Sequence, residues 1–170
     1  MVTNDRLILL SGIPAIGKTH FGLWLTREHG FIHVEFEDKR VREALGLASG
    51  RDALKGYGNA NPLITAAQNL GPRVLFDWGF PPAWLFAITR FAELGAELWW
   101  FDGDRVRARQ DFVQRNTAAL DAFDRQLLGI TQSWPAITAL FGRRQIDVLS
   151  ANGERMPAES IWAAMNQDPS

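Results

Sequence analysis

The sequence predicts an α/β protein with a parallel sheet of five strands. Five short apolar runs of β-forming residues recur along the chain, at Leu7 to Leu10, Phe31 to Phe36, Val74 to Phe76, Leu98 to Phe101 and Ile146 to Leu149. Helical patterns lie between them, and strands that alternate with helices indicate a parallel sheet covered on both faces. A glycine-rich turn between the first run and the first helical pattern is the third observation.

The helical patterns end at residues that favour helix termini. Four segments, 17–30, 38–46, 61–71 and 82–95, each close on a glycine that suits a C-cap. Asn61 is a cap with Pro62 in the first turn, and a final helix is expected to begin near Pro157. The glycine-rich stretch 46–58 is interpreted as a mobile connection.

Residues 104–127 predict a longer helix. Its apolar residues Val106, Val113, Leu120 and Leu127 are spaced at sevens. The stripe covers too few heptads for a coiled coil, so it is interpreted as a core contact of this helix.

Composition limits the class of protein. With 170 residues, of which 46% are hydrophobic and 22% charged, residues 1–170 fit a single domain with one core. The net charge of -1 disfavours a nucleic-acid partner, and the absence of cysteine excludes disulfides and thiolate metal sites. The N-terminal residues match neither a signal peptide nor a membrane span, so a cytoplasmic protein without a membrane partner is expected.

The turn after the first strand has the G-x-x-x-x-G-K-[ST] spacing of a phosphate-binding loop. Its glycines allow backbone N–H groups to surround an anion at the positive end of the following helix. Lys18 is expected to reach the β and γ phosphates, and the Thr19 hydroxyl to bind Mg²⁺. The predicted nucleotide-binding residues here are Gly12, Ile13, Pro14, Ala15, Ile16, Gly17, Lys18, Thr19 and His20.

Four stretches together resemble the small P-loop kinases, a group that includes shikimate kinase, gluconate kinase, chloramphenicol phosphotransferase, zeta toxins and adenylate kinase. They are SGIPAIGKT at 11–19, FEDKRVREALG at 36–46, VLFDWGFP at 74–81 and DVLSANGERMPAESI at 147–161. The last looks like the loop that packs against adenine in these kinases. No triple glycine follows the third strand and the lid arginines do not fit the shikimate or gluconate kinase pattern, so those two substrates are not supported.

The resemblance implies both fold and activity. The fold would be a three-layer α/β/α sandwich of the P-loop NTPase type, with strand order 2-3-1-4-5 and a helical lid at about 104–127. The activity would be transfer of phosphate from ATP, with Mg²⁺, to a hydroxyl group of a small molecule such as a metabolite or an antibiotic. No N-K-x-D motif for reading guanine is present, which favours adenine.

Phosphoryl transfer requires a carboxylate near the acceptor hydroxyl and cations around the moving phosphate. Asp38 is predicted to be this carboxylate and to hold the substrate, with Glu37 as the substitute. The alternative role for Asp38 is an N-cap of the second helix. Arg115 is the preferred lid arginine and Arg109 the other candidate, although a solvated helix face is the default reading of both.

Asp77 ends the third strand and is predicted to hold Mg²⁺ together with Thr19, since hard cations favour oxygen ligands. A turn-forming role is its alternative. Trp78 and Gly79 follow, and both are expected to face the acceptor. The aromatic residues Phe80, Trp84 and Tyr57 are further candidates for this pocket, with the core as their alternative.

Two other classes of function stay open from the sequence. One is a regulatory or hydrolytic ATP-binding protein, and the other is a kinase of nucleotides or nucleic acids. The acceptor and the oligomeric state are not determined by the sequence, because acceptor specificity resides in variable loops of a shared fold.

Overall fold

A five-stranded parallel sheet forms the centre of the protein, as seen in a computed structural model that describes residues 5–79, 82–115 and 120–167. The strands are β1 (Arg6–Gly12), β2 (Ile32–Glu35), β3 (Arg73–Asp77), β4 (Glu97–Gly103) and β5 (Gln145–Leu149). Their spatial order is β2-β3-β1-β4-β5, and all neighbouring pairs are parallel. The predicted fold class and strand order are confirmed.

Helices connect the strands and surround the sheet. Within the described residues they are α1 (Lys18–His29), α2 (Lys39–Ala44), α3 (Ala48–Tyr57), α4 (Asn61–Leu70), α5 (Leu85–Glu93), α6 (Arg105–Arg115), α7 (Leu120–Gln132), α8 (Trp134–Phe141) and α9 (Ala158–Asn166). A short 3-10 turn at Pro82–Trp84 precedes α5. None of the helices in these ranges is long and apolar enough to cross a bilayer.

The central strand β1 is the most deeply buried. Ile8, Leu9 and Leu10 are all inaccessible to solvent, because helices cover both faces of the sheet. Burial of each such side chain stabilises the fold by about 1.5–3 kcal/mol. The core therefore fixes the position of the residues that follow the strand.

The strand register brings three chain segments together at the carboxyl edge of the sheet. Leu10 lies opposite Asp77 in the pairing of β1 with β3, and Glu35 lies opposite Asp77 in the pairing of β2 with β3. The pairing continues beyond the strands, since the Trp78 amide donates to the Leu10 carbonyl at 3.0 Å. In open parallel sheets this edge is where ligands bind.

The stretch 46–58 differs from its prediction, because most of it forms the helix α3. Leu47 and Leu54 are buried and anchor this segment on the core. Gly50 does not break the helix. It instead permits close packing on α4, since a Cβ at Gly50 would lie 3.0 Å from the backbone of Leu63. The prediction of a mobile connection was wrong.

The segment 104–127 also differs from its prediction. It contains two helices, α6 and α7, on either side of residues 116–119, which lie outside the described residues. Val106 and Val113 are 68% and 51% exposed, so the first half of the predicted core stripe was wrong. The face of α6 that packs inward instead carries Ala108 and Phe112, spaced by four residues as one helix face requires. The helix α8 was not predicted.

Candidate functional site

The loop between β1 and α1 is held tightly against β4. Gly12 has φ +153°, and a Cβ there would lie 2.3 Å from the carbonyl oxygen of Phe101. The next amide, of Ile13, donates to the same oxygen at 3.2 Å. Gly17 caps α1 with φ +109°, so both glycines of the motif occupy conformations that suit glycine. The loop thus ends at the positive pole of a helix, where an anion is favoured.

Ala15, in the middle of this loop, has φ +61°, which is strained for a residue with a side chain. The carbonyl groups on this part of the loop accept hydrogen bonds from Arg155. Its Nη1 donates to the Ile16 carbonyl at 2.9 Å, and its Nη2 donates to the Ala15 carbonyl at 3.4 Å. Arg155 also pairs with Asp111 of α6. One guanidinium therefore joins the loop, α6 and the segment after β5.

Asp77 and Thr19 meet at the start of α1. The Thr19 hydroxyl donates to Oδ2 of Asp77 at 2.7 Å. The Nε2 of His33, on β2, lies 3.4 Å from the same oxygen. Gly22 of α1 leaves the space for this imidazole, because a Cβ at Gly22 would lie 2.4 Å from the ring. The carboxylate is therefore positioned from two sides.

The surroundings of Asp77 keep its carboxyl group ionised. Burial alone would raise its pKa, but the hydrogen bond with His33, the charge of Lys18 and the hydrogen bond from Thr19 together lower the pKa below the usual value. A buried carboxylate beside a hydroxyl presents the hard oxygen atoms that Mg²⁺ prefers. The donor set therefore fits the predicted magnesium site.

Lys18 and Glu37 face each other across Gly79. A Cβ at Gly79 would lie 3.7 Å from Oε1 of Glu37 and 3.9 Å from Nζ of Lys18. Burial lowers the pKa of the Lys18 amine, against the opposing effect of the Asp77 and Glu37 charges. Burial also raises the pKa of Glu37, although its side chain is exposed on one side, and the positive charge of Lys18 opposes this rise.

Asp38 is directed to its own helix. Its carboxylate accepts a hydrogen bond from the Arg40 amide at 2.8 Å and caps α2. This hydrogen bond lowers the pKa of Asp38. Of the two neighbouring acids, Glu37 lines the cavity beside Lys18 and Asp38 does not.

Two cavities lie next to the loop, and neighbouring residues of the loop line them. The first, of about 390 Å³, is lined by Ile16, Gly17, His20, Arg115, Arg155 and Met156, among others. The second, of about 310 Å³, is lined by Ala15, Lys18, Thr19, Glu37, Asp77 and Gly79, with further residues from α6 and α7. Most of the predicted site residues thus lie on one of these two cavities.

The two candidate lid arginines differ in position. Arg115 lines the first cavity, and its charge is close enough to lower the pKa of Lys18. Arg109 instead forms a two-point ion pair with Asp124 of α7, at 2.8 and 3.0 Å, on the protein surface. Arg115 is therefore brought to the loop and Arg109 is not.

The predicted aromatic residues do not gather at the second cavity. The Trp78 ring is buried against Phe36, at 4.8 Å between centroids, and against Trp84, at 5.6 Å. Tyr57 is 91% exposed and lines a separate surface groove. Phe80 lies outside the described residues. Among the described residues predicted to face the acceptor, Gly79 and the substitute carboxylate Glu37 line the cavity, whereas Asp38, Trp78, Trp84 and Tyr57 do not.

The sequence predicted neither the hydrogen bonds of Arg155 to the loop nor the contact of His33 with Asp77. Arg155 is 139 residues from Ile16 along the chain, and no local pattern marks it. The pair of His33 and Gly22 depends on how α1 packs on β2, which only the assembled fold determines.

The fold and the site define the class as an α/β protein of the P-loop NTPase type. Two solved structures with a similar fold are those of kinases. A shikimate kinase from Bacteroides thetaiotaomicron superposes with a TM-score of 0.58 over 95% of this chain and 96% of its own, at 14% identity. A gluconokinase from Sinorhizobium meliloti 1021 superposes with a TM-score of 0.51 over 93% and 87%, at 13% identity. No protein-family model and no curated protein sequence matches the chain.

From the predicted role of the loop in binding ATP, replacing Arg155 with methionine is expected to lower ATP affinity about tenfold, or about 1.4 kcal/mol, because the strained loop loses its support. The exposed Arg27, paired with Glu28, provides the matched control Arg27→Met. Titration calorimetry measures both. Adding Ala15→Gly to Arg155→Met should recover part of the affinity, since glycine adopts a positive φ without strain. If adding Ala15→Gly does not change the ATP affinity of Arg155→Met, the loss would be due to the missing guanidinium charge instead.

Proposed function

We propose that this protein is a phosphotransferase that uses ATP and Mg²⁺ to phosphorylate a hydroxyl group of a small molecule. The observation that carries the proposal is the pair of cavities on either side of one phosphate-binding loop. Ile16 and Gly17 line the first cavity, whereas Ala15 and Lys18 line the second. A triphosphate bound along the loop would begin in the first cavity and present its terminal phosphate to the second.

In this proposal the first cavity holds the nucleotide. Backbone amides of the loop bind the phosphates, and Lys18 and Arg115 supply positive charge around them. The segment with Met156 and Pro157, which lines the same cavity, packs against the base. Adenine is preferred over guanine, because the sequence has no guanine-reading motif.

Thr19 and Asp77 would hold Mg²⁺, since their oxygen atoms lie 2.7 Å apart at the entrance of α1. When bound, the ion neutralises negative charge on the phosphates and helps to orient them. His33 and Gly22 hold the Asp77 carboxylate in place for this role.

The second cavity would hold the acceptor, with Glu37 as the general base. In the transfer step the acceptor oxygen forms a bond with the γ phosphorus, the bond from that phosphorus to ADP breaks, and the hydroxyl proton passes to Glu37. Glu37 replaces Asp38 in this role because its carboxylate lines the cavity and that of Asp38 caps α2.

The second cavity also favours a transferase over the other two classes. A hydrolytic or regulatory ATP-binding protein has no need of a separate space beside the terminal phosphate. A volume of about 310 Å³ is at the small end of small-molecule sites, and it suits a metabolite better than a nucleic acid. The kinase names of the structural neighbours agree with this proposal.

The test is nucleotide binding followed by transfer. Calorimetry should detect ATP binding that is tighter with Mg²⁺ than without it, and tighter than binding of GTP. A panel of hydroxyl compounds should then contain an acceptor that forms a phosphorylated product together with ADP, measured by mass spectrometry. A protein that binds no ATP, or that only hydrolyses ATP across a broad panel, would contradict the proposal.

A further inference from the structure

The wall of the second cavity that faces the loop comes from α6 and α7 and is mainly apolar. Phe112 and Phe123 contribute two rings whose centroids are 4.8 Å apart, with an angle of 46° between their planes. Ala122 extends this surface. Phe123 is buried in the core and Phe112 is partly buried against it, so the wall is firmly supported. Such a surface favours a ligand with an apolar, ring-shaped face.

The opposite side of the same cavity is polar and includes Lys18, Glu37 and Asp77. Nε2 of Gln126 donates to the Gly79 carbonyl at 2.9 Å. A Cβ at Gly79 would lie 3.3 Å from this nitrogen and would fill the space between Gln126, Glu37 and Lys18. The bare glycine therefore leaves room for a small group, such as a hydroxyl, next to the carboxylate.

The charges on the cavity lining are unfavourable for an anion. Glu37 and Asp77 contribute two acids, and Lys18 is the one cation among the described lining residues. Lys18 is assigned to the phosphates of ATP, so it is not available to a second anion. The undescribed residues 80–81 and 116–119 are uncharged in the sequence and add no cation.

Two arginines approach Glu37 from outside the lining. Arg42 is buried, donates to the Phe36 carbonyl, and lies 5.8 Å from the centroid of the Phe36 ring. Arg51 of α3 is close enough for its charge to act on Glu37. Neither contributes to the lining, and both positive charges act on the acid that already faces the cavity.

We propose that the acceptor is a hydroxyl compound without a carboxylate or phosphate group, which places a ring-bearing apolar face against Phe112, supported from behind by Phe123, and its hydroxyl between Glu37 and Gly79. This inference rests on the proposed function and deepens it by naming the class of substrate. A carboxylate or phosphate group on the acceptor would lose hydration in this cavity without contacting an opposite charge.

The experiment uses a balanced set of small alcohols in four classes: with or without an aromatic ring, and with or without a carboxylate. The protein is first saturated with Mg²⁺ and a non-hydrolysable ATP analogue, and binding of each alcohol is measured by ligand-observed NMR. The uncharged aromatic class is expected to bind most often. Its members should bind at least tenfold more tightly than their matched carboxylates, and Phe112→Leu should reduce this advantage of the ring.

A charge placed on the wall provides a second measurement. Ala122→Arg adds a cation to the lining and is expected to move the preference toward the carboxylate class. Leu128→Arg is the matched control, since Leu128 is on the same helix, is 57% exposed and does not line the cavity. The control should keep the preference of the unmodified protein.

Several results would overturn the inference. The first is a preference of the unmodified protein for carboxylates, in particular a preference that Arg51→Gln removes. The second is equal binding of alcohols with and without rings. The third is no binding of any class of alcohol while the ATP analogue binds. In the first two cases the proposed function would stand, because an alcohol still binds, whereas no binding of any class would count against both. If the ATP analogue itself does not bind, the proposed function fails and the acceptor class fails with it.

Discussion

Replacing Glu37 with glutamine is expected to slow phosphoryl transfer by about 10² to 10⁴-fold, which is the usual effect of removing a general base. Glutamine keeps the size of the side chain and its place beside Gly79, but it cannot accept the hydroxyl proton. In the proposed function ATP binds mainly through the loop 12–19, so its affinity should change little. Product formation by mass spectrometry and ATP binding by calorimetry together measure the two effects.

Asp38→Asn is the matched control for this experiment, because it removes one negative charge from the adjacent residue. Asparagine caps helices about as well as aspartate, so the stability of α2 should be kept. We expect transfer to be nearly normal in this variant. Loss of transfer in Asp38→Asn, with normal transfer in Glu37→Gln, would restore Asp38 as the catalytic carboxylate.

The pH dependence of transfer adds an independent measurement. In the proposed mechanism Glu37 accepts the proton only when it is ionised, and burial raises its pKa, so the rate should fall on acidification at a higher pH than an ordinary glutamate would give. Asp77 has a lowered pKa and stays ionised over this range. The acidic limb of the pH profile should therefore disappear in Glu37→Gln. A limb that is unchanged in this variant would assign the titration to another group.

Lys18→Ala is expected to lower the transfer rate by about 10² to 10³-fold, the typical loss when one group that stabilises transition-state charge is removed. The amine donates a hydrogen bond to the Ile13 carbonyl at 3.2 Å and lines the second cavity. ATP affinity should also fall about tenfold or more, or at least about 1.4 kcal/mol.

The matched control for Lys18→Ala is Lys55→Ala, since Lys55 is exposed on α3 and lines neither of the two cavities. Melting temperatures of both variants show whether either change disturbs the fold. Equal ATP affinity in Lys18→Ala and in the unmodified protein would remove the phosphate-binding interpretation of the loop.

The strands of this fold were predictable because their apolar runs are continuous and bounded. β1 is buried on both faces, and such strands consist almost entirely of apolar residues. Their order was available only through the resemblance of the motifs to small P-loop kinases, because local patterns do not say which strands become neighbours. The exact ends also moved by one or two residues, as is usual at strand ends.

The helices that were predicted wrongly depend on contacts that a local pattern does not contain. Gly50 looks like a helix breaker in the sequence, but in α3 it is the residue that allows the backbone of Leu63 to approach. Spacing by sevens selected Val106 and Val113 on α6. The inward face runs instead through Ala108 and Phe112, which pack against the core.

The loop residues of the site were predictable because their spacing has a direct chemical reason. The choice between Glu37 and Asp38 was not, since the turn after β2 decides which of two adjacent acids faces inward. Arg155 was also beyond local reasoning, because its hydrogen bonds to the loop join distant parts of the chain. The predicted roles of Trp78 and Arg109 stay untested, although neither side chain is placed at the second cavity.

The helices α6 and α7 make different contacts around the two cavities, and this has a consequence for engineering. α6 carries Asp111, whose pair with Arg155 ties it to the nucleotide side. α7 contributes three lining residues of the second cavity, Ala122, Phe123 and Gln126. Under the proposed function, exchange of α7 would change three of the four residues that α6 and α7 contribute to the second cavity and would leave the pair of Asp111 and Arg155 in place. Substitutions confined to the thirteen residues Leu120–Gln132 would therefore be a direct way to change the proposed acceptor.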